Sequence, residues 1–265
     1  MIPVSIVIIT KNEADLISRC VNNAKLISDD VVIVDSGSTD HTLDVASGYG
    51  CRIFNLPWDG YGANKNKGIK LAKYDWILSL DADEAPDPDL IKSLHSLKLE
   101  EPAMVYDIKF HSYFGQKLIR FGSWGRDHHI RLFNRKSVKW SETMVHEKLI
   151  MPENTTVRKL KGHIHHYSVK NLAEYNRKCN YYAKLSAGQY LRDGKKAGII
   201  KLYISPLFGF MKNYLFYLGF LDGREGWKIA KATLKNTHRK YQLLNQMEVH
   251  PHKKEAVKDN LAVEY

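Results

Sequence analysis

The sequence predicts an α/β fold: a mostly parallel sheet flanked by helices, followed by a helical C-terminal segment. Three observations predict it. Apolar, β-branched runs alternate with helical periodicity over residues 4–80. The runs at 4–9, 31–34 and 76–80 end in the polar clusters TKNE, DSGSTD and DADE. From Leu172 onward the pattern turns helical. Strands joined by helices at this spacing pair in parallel through right-handed crossovers, and ligands then bind beyond the carboxyl ends of the strands. The three polar clusters are therefore expected to converge on one cleft, although some 70 residues of sequence separate the first from the last.

Taken in order, VSIVII (4–9) is a continuous apolar run, as expected of a strand buried on both faces. Leu16, Ile17, Cys20, Val21 and Ala24 then recur at helical spacing. VVIV (31–34) reads as a second buried strand. Thr39 or Asp40 is placed to cap a helix carrying Thr42, Leu43, Val45 and Ala46. A third short strand is expected at 51–54, a helix from Tyr61 to Lys73, and a fourth strand at 76–80. MVYDIKF and HIRLF read as strands extending the sheet within 104–168. In the helical part, a break is expected near Asp193-Gly194, Pro206 and Gly209 are expected to interrupt or kink the helix, and the tail from 248 reads as polar and frayed.

Composition narrows the classes. At 265 residues the chain can bury a full core, and its 44% hydrophobic and 26% charged content suits a soluble globular protein. Cys20, Cys51 and Cys179 are odd in number and outside metal-ligand spacing, which points to reduced thiols in a cytoplasmic protein. The start, MIPVSIVIITKNE, lacks the basic region and apolar length of a signal peptide, and no conventional membrane-spanning stretch is expected. The net charge of +11 is uneven: residues 1–150 hold 19 basic against 20 acidic side chains, and 151–265 hold 21 against 9. Nucleic acid, an anionic membrane or a phosphorylated acceptor would each answer the basic half.

The chemistry gathers at the strand ends. In Asp81-Ala82-Asp83-Glu84, two carboxylates two residues apart at the end of a strand can reach one hard cation such as Mg²⁺ or Mn²⁺; the plainer reading is a turn with capping acids before Pro86. Asp35 can accept a hydrogen bond from a base N–H or a ribose hydroxyl, or simply form an Asx-turn within DSGSTD. His163, His165 and His166 form a cluster, and Arg126 and Arg131 could meet a diphosphate or form surface ion pairs. There is no G-x-G-x-x-G and no Walker lysine motif, so neither a dinucleotide fold nor a P-loop is supported.

SIVIITKNE, VVIVDSGSTDHT, GANKNKGI and WILSLDADE resemble the nucleotide-binding half of the family 2 inverting glycosyltransferases. IRLFNR, VHEKL, HHYSVKNLAEYNRK and GFLDGREGW are similar to the branch containing lipopolysaccharide-core β-1,4-glucosyltransferases, and the likeness spans roughly residues 3 to 245. It implies a GT-A-type fold, a UDP-sugar donor, a divalent metal (Mg or Mn) and single-displacement transfer to a glycolipid or surface-glycan acceptor. Carried over residue by residue, Thr10 and Glu13 fall in the first nucleotide loop, Asp35 at the base or ribose, Lys65 near the donor, and Asp81 and Asp83 in the metal motif. Many members have two acids where this chain has Asp35-Ser36, which leaves open which position meets the uracil. Glu147 falls at the catalytic base, with Glu142 and then Asp127 as alternatives; His166 matches a histidine that completes the metal shell in some relatives, and Arg131 is assigned to the donor. UDP-glucose and an inner-core heptose lead as donor and acceptor, with galactose or N-acetylhexosamine donors open.

The organisation expected is a catalytic domain over 1–168, a helical acceptor- or membrane-facing segment over 169–247, and a tail over 248–265. Residues 199–221 are rich in large apolar side chains, with Lys201 and Lys212 on one face of an α-helical projection. Arg224, Lys228, Lys231, Lys235 and Arg239 then make a cationic stripe, so a peripheral position on an anionic inner-membrane surface is expected. A core-packed helix with a solvated charged face is the plainer alternative. A basic nucleic-acid-binding module fits the charge but not the acidic cleft, and a nucleotidyltransferase lacks its triphosphate loop, so no nucleic-acid partner is expected.

Overall fold

The structure is a computed structural model that describes residues 1–142 and 147–249. The chain forms two compact units, one of Met1–Tyr113 with Arg126–Ser168, the other of Phe114–Gly125 with the residues from Val169 onward.

The first unit is built on a sheet flanked by helices. It opens with β1 (Val4–Thr10), α1 (Ala14–Ile27), β2 (Asp30–Asp35), α2 (Thr42–Ser47), β3 (Arg52–Asn55), α3 (Tyr61–Leu71) and β4 (Trp76–Asp81). The chain continues with β5 (Glu84–Pro86), α4 (Pro88–His95), β6 (Met104–Phe114), the two-residue strand β7 (Lys117–Leu118), which falls in the second unit, and then β8 (His128–Asn134), β9 (Lys139–Trp140), β10 (Leu149–Ile150) and β11 (Thr156–Val169). The large sheet runs β3-β2-β1-β4-β8-β6-β11-β5. The β3-β2-β1-β4 half is parallel, as the strand–helix alternation predicts, and β8 and β6 extend it in antiparallel pairing.

The run VSIVII is buried on both faces because it lies in the middle of that sheet. Val4, Ile6 and Ile8 enter one core with Ile17 and Val21 of α1. Val7 and Ile9 enter the opposite core with Ile69 of α3 and Trp140. Gly68 lets α3 lie close on the sheet, since a Cβ there would stand 2.4 Å from Val7 Cγ1.

The second unit is helical. α5 (Leu172–Arg192) starts where the periodicity places it, with the Asn171 side chain accepting the Glu174 N–H at 3.0 Å. It packs on α7 (Gly223–Val249) through Ala183, Ala187, Leu243, Leu244 and Met247. Between them, Pro206 and Gly209 do not end the helix. Both residues lie inside α6 (Ser205–Met211), which is flanked by π-helical turns at Ile200–Ile204 and Lys212–Phe216. Proline has no N–H and clashes with the carbonyl four residues back, and the wide turn before Pro206 relieves both without ending the helix. With π turns on either side, an α-helical projection no longer relates Lys201 to Lys212. α7 runs past the expected start of the tail at 248, and residues 250–265 of that tail lie outside the described residues.

The motif GFLDGREGW is a structural clasp of this unit. Asp222 is buried and accepts the N–H groups of Arg120 and Phe121 at 3.2 and 2.9 Å. Gly226 admits a close approach, since a Cβ would stand 1.8 Å from the Gly219 carbonyl oxygen.

Candidate active site

The site lies in the first unit, where the carboxyl ends of β1, β2 and β4 come side by side. Thr10 and Asp35 are register partners at the ends of β1 and β2, and Asp81 ends β4 beside them. The first two loops are laced together: Asn12 N–H donates to Ser38 Oγ at 2.9 Å, and Thr39 N–H donates to Asn12 Oδ1 at 2.8 Å. Glu13 N–H donates to Thr42 Oγ1 at 2.8 Å, and Asp40 Oδ1 accepts the Thr42 N–H at 3.0 Å. Asn64 of α3 joins the second loop by donating to Ser36 Oγ at 3.0 Å. TKNE and DSGSTD are thus joined by direct bonds, and the pairing of β4 with β1 brings DADE beside them.

Within this frame the Asp35 carboxylate turns back on its own loop. It is fully buried and accepts the N–H groups of Gly37 and Ser38 at 2.8 and 2.9 Å, the Asx-turn geometry. Thr10 differs, because its buried Oγ1 has no hydrogen-bond partner, a state that a buried hydroxyl rarely tolerates without a ligand or water.

Beside the loops, four charged side chains from four distant segments meet. Lys65 of α3, buried, places Nζ 2.9 Å from Glu147 Oε1, 3.1 Å from Asp81 Oδ1 and 4.7 Å from the Trp140 ring centroid. The Lys65–Asp81 approach is a charge contact, since Asp81 Oδ1 makes no hydrogen bond of good angle. Arg131 of β8, also buried, reaches Asp81 Oδ2 at 3.2 Å and Glu84 Oε1 more closely still. Burial alone would raise the Asp81 carboxyl, but Lys65 and Arg131 overcome it and hold Asp81 well below the usual carboxylate range. Arg131 is therefore no surface ion pair.

Glu84 is the residue that sequence reasoning left without a role. It is buried, accepts the Asp81 N–H at 3.0 Å and pairs with Arg131, and so braces the Asp81-Ala82-Asp83 turn from behind. Burial pushes its carboxyl up to about 7 against the pull of Arg131. A signal was present in the fourth letter of DADE, but an acid before Ala-Pro reads equally as a cap.

At the outer edge of the turn, Asp83 Oδ2 lies 3.3 Å from His166 Nε2, and Ser168 Oγ lies 3.0 Å from His166 Nδ1. The pair is positioned by the sheet, because His166 on β11 is the register partner of Glu84 on β5. Burial disfavours the imidazolium, but Asp83 outweighs it and pushes His166 up to about 9. Among the described residues no group of three or more His, Cys, Asp or Glu is assembled as a complete metal cage. Ions that bind nucleotide phosphates need only one or two protein ligands, since phosphate oxygens and water supply the others, and a carboxylate with an imidazole suits Mn²⁺ or Mg²⁺ in that role. The residues present fit such an ion.

The remaining candidates separate. His163 and His165 point to the other face of β11: His163 Nδ1 is 3.0 Å from Asp87 Oδ2 and its ring stacks on His111, while His165 Nδ1 is 3.0 Å from the Tyr113 hydroxyl. Asp127 is taken up by His129 Nε2 at 2.9 Å. Arg126 and Glu142 are exposed. Of the segment VHEKL, Val145 and His146 lie outside the described residues, whereas Glu147 is half-buried and joined to the charged cluster through Lys65.

The sequence model of glycosyl transferase family 2 matches residues 5–173, which include every side chain of this cluster. An uncharacterised glycosyltransferase of Rickettsia typhi is 28% identical over 236 residues, 84% of this chain and 80% of its own. The lipopolysaccharide core biosynthesis glycosyltransferase LpsC of Rhizobium meliloti is 27% identical over 223 residues, 80% of this chain and 81% of its own. Among solved structures, glucosyl-3-phosphoglycerate synthase from Mycobacterium tuberculosis, in complex with Mn²⁺, UDP and glucosyl-3-phosphoglycerate, aligns with 43% of this chain and 45% of its own at 23% identity and a TM-score of 0.35.

Proposed function

We propose, from the premise that the chain belongs to glycosyl transferase family 2, that it transfers a hexose from a UDP-sugar to a hydroxyl of a surface-glycan acceptor with inversion at the anomeric carbon. UDP-glucose is the leading donor, and the lipopolysaccharide inner core the leading acceptor. The relation to LpsC over most of both chains supports the acceptor class. A glycolipid acceptor agrees with a chain held at the cytoplasmic face of the inner membrane, and no described helix is long and apolar enough to cross it.

In this reading Asp83 and His166 hold a divalent cation, Mg²⁺ or Mn²⁺, whose chemistry is to neutralise the charge of the leaving diphosphate. Thr10 and Glu13 line the nucleoside end, with the free Thr10 hydroxyl offering a hydrogen bond, and Asp35 shapes the loop that meets the nucleoside from behind. Lys65 and Arg131 set a positive field around Asp81 and fix the turn that carries Asp83. Glu147 is the general base. The acceptor oxygen attacks the anomeric carbon, its proton passes to the Glu147 carboxylate, and the bond to the diphosphate breaks with its electron pair leaving on UDP.

The observation that carries the proposal is the approach of one buried ammonium, Lys65 Nζ, to both Asp81 and Glu147. It brings the acidic turn and the base to one cleft, where a single displacement needs them on opposite faces of the donor sugar. The test is transfer from a panel of UDP-sugars to deacylated core oligosaccharides, with the anomeric configuration of the product read by NMR. A β-linked product from an α-linked donor supports the proposal; retention of configuration rejects its mechanism.

A further inference from the structure

We infer that residues 199–222 and the basic face of α7 form a docking surface for an anionic lipid bilayer, lying in the plane of the interface. The inference deepens the acceptor side of the proposed function and concerns the second unit alone.

The first observation is where apolar surface is left in water. Of the twenty large hydrophobic residues exposed among the described residues, twelve fall between 199 and 227. Ile199 is 79% exposed, Tyr203 62% and Phe208 59%. They are not scattered: Ile199, Tyr203 and Leu207 recur every four residues, as do Ile200, Ile204 and Phe208. A spacing of four drifts around an α-helix, but the wide π turn at Ile200–Ile204 takes up the drift and keeps the repeat on one side. The inward side is fully used. Pro206 and Asn213 are buried, and Phe210 and Tyr214 pack edge-on against Trp227 of α7 at 5.4 and 5.3 Å. A segment anchored on one side and apolar on the other is built to present that outer side.

The second observation is charge. Residues 194–247 contain ten Lys and Arg but only two acids, Asp222 and Glu225. Both acids are committed within the unit: Asp222 is buried on the N–H groups of Arg120 and Phe121, and Glu225 pairs with Lys117 and Lys228. Lys231 and Lys235 are exposed on α7 and adjoin the apolar segment. They lie between Trp227, which packs on Phe210, and His238, whose Nδ1 is 3.0 Å from the Leu202 carbonyl oxygen. Cations beside aliphatic and aromatic side chains match a surface of anionic headgroups over acyl chains, and nucleic acid offers no partner for Ile199, Ile204 or Leu207. No described helix meets the length and apolarity of a span, so the surface lies on the bilayer and does not cross it.

The experiment floats the full chain with vesicles of phosphatidylcholine alone and of phosphatidylcholine mixed with phosphatidylglycerol. It reads lipid binding, so its failure is separate from failure of sugar transfer. The wild type is expected to partition at least tenfold more strongly to the mixed vesicles. Lys231→Glu with Lys235→Glu, and separately Ile204→Asp with Phe208→Asp, are each expected to lower that binding about tenfold, with circular dichroism and Tm as the check on folding. Phe208→Ser serves if the aspartate pair fails to fold. Equal recovery with both lipids, no recovery, or wild-type binding by folded apolar variants would overturn the inference. So would a concentration-dependent dimer that the apolar variants abolish in the absence of lipid binding, which would make this face a self-interface.

Discussion

Lys65 Nζ lies 2.9 Å from Glu147 Oε1, joining residues 82 positions apart in sequence, and the same ammonium touches Asp81 at 3.1 Å. A single buried cation therefore orients the proposed base and the root of the acidic turn together. This relationship ties catalysis to folding at one side chain and separates residues expected to affect chemistry from those expected to affect stability.

Glu147→Gln keeps the shape and removes the proton acceptor. The expected outcome is a fall in kcat of about 10²–10⁴ with UDP affinity and Tm little changed. Steady-state kinetics and calorimetry on the same preparation check it. Glu142→Gln, at an exposed position, is expected to leave kcat within about twofold; a large loss there, with Glu147→Gln active, would transfer the role.

Arg131→Met strips the buried Glu84 and the half-buried Asp81 carboxylates of their shared partner. Breaking a buried pair on one side typically costs about 3–5 kcal/mol, because the remaining charge stays desolvated. Urea denaturation is expected to show a loss of that size. Adding Glu84→Gln should return part of it, since the two residues are coupled through direct contact.

His111 stacks on His163 with ring centroids 3.7 Å apart. Burial, and then the nearby His163 and His165, push His111 down to about 4. Between that value and the unfolded one near 6.5 the unfolded chain binds more protons, so stability rises with pH. The contribution is complete above about 6.5 and is lost as pH falls through about 4. The wild-type Tm should therefore fall more steeply over this window than that of His111→Phe. Parallel profiles would remove His111 as the source.

Gly62 marks the close approach of α3 to the segment leading to Glu147: a Cβ there would stand 1.9 Å from the Ser141 carbonyl oxygen. Gly62→Ala is expected to cost about 1–3 kcal/mol by overpacking and to lower activity by displacing Glu147 from Lys65. Thermal unfolding and kcat should fall together.

How far the sequence carries depends on the range of the interaction. β1, β2 and β4 were legible because a central parallel strand needs apolar residues on both faces, and VSIVII, VVIV and WILSL have no other use. The Glu84 brace was not, because β5 is three residues long and owes its burial to β11, some eighty positions later. Pro206 misled for a related reason: a proline breaks an ideal α-helix, whereas a preceding π turn accommodates it, and nothing local in IIKLYIS announces that turn. DSGSTD alone leaves Asp35 free to meet a ligand or to form an Asx-turn, and its bonds to Gly37 and Ser38 form the turn.

We propose that a divalent ion held by Asp83 and His166 binds the donor diphosphate. The most direct test is calorimetric titration of UDP, with and without Mn²⁺, into the wild type and Asp83→Ala. Mn²⁺ is expected to tighten UDP binding at least tenfold in the wild type, and this gain is expected to disappear in Asp83→Ala while Tm holds. UDP binding unaffected by Mn²⁺ in the wild type, or an equal gain in the variant, would contradict it.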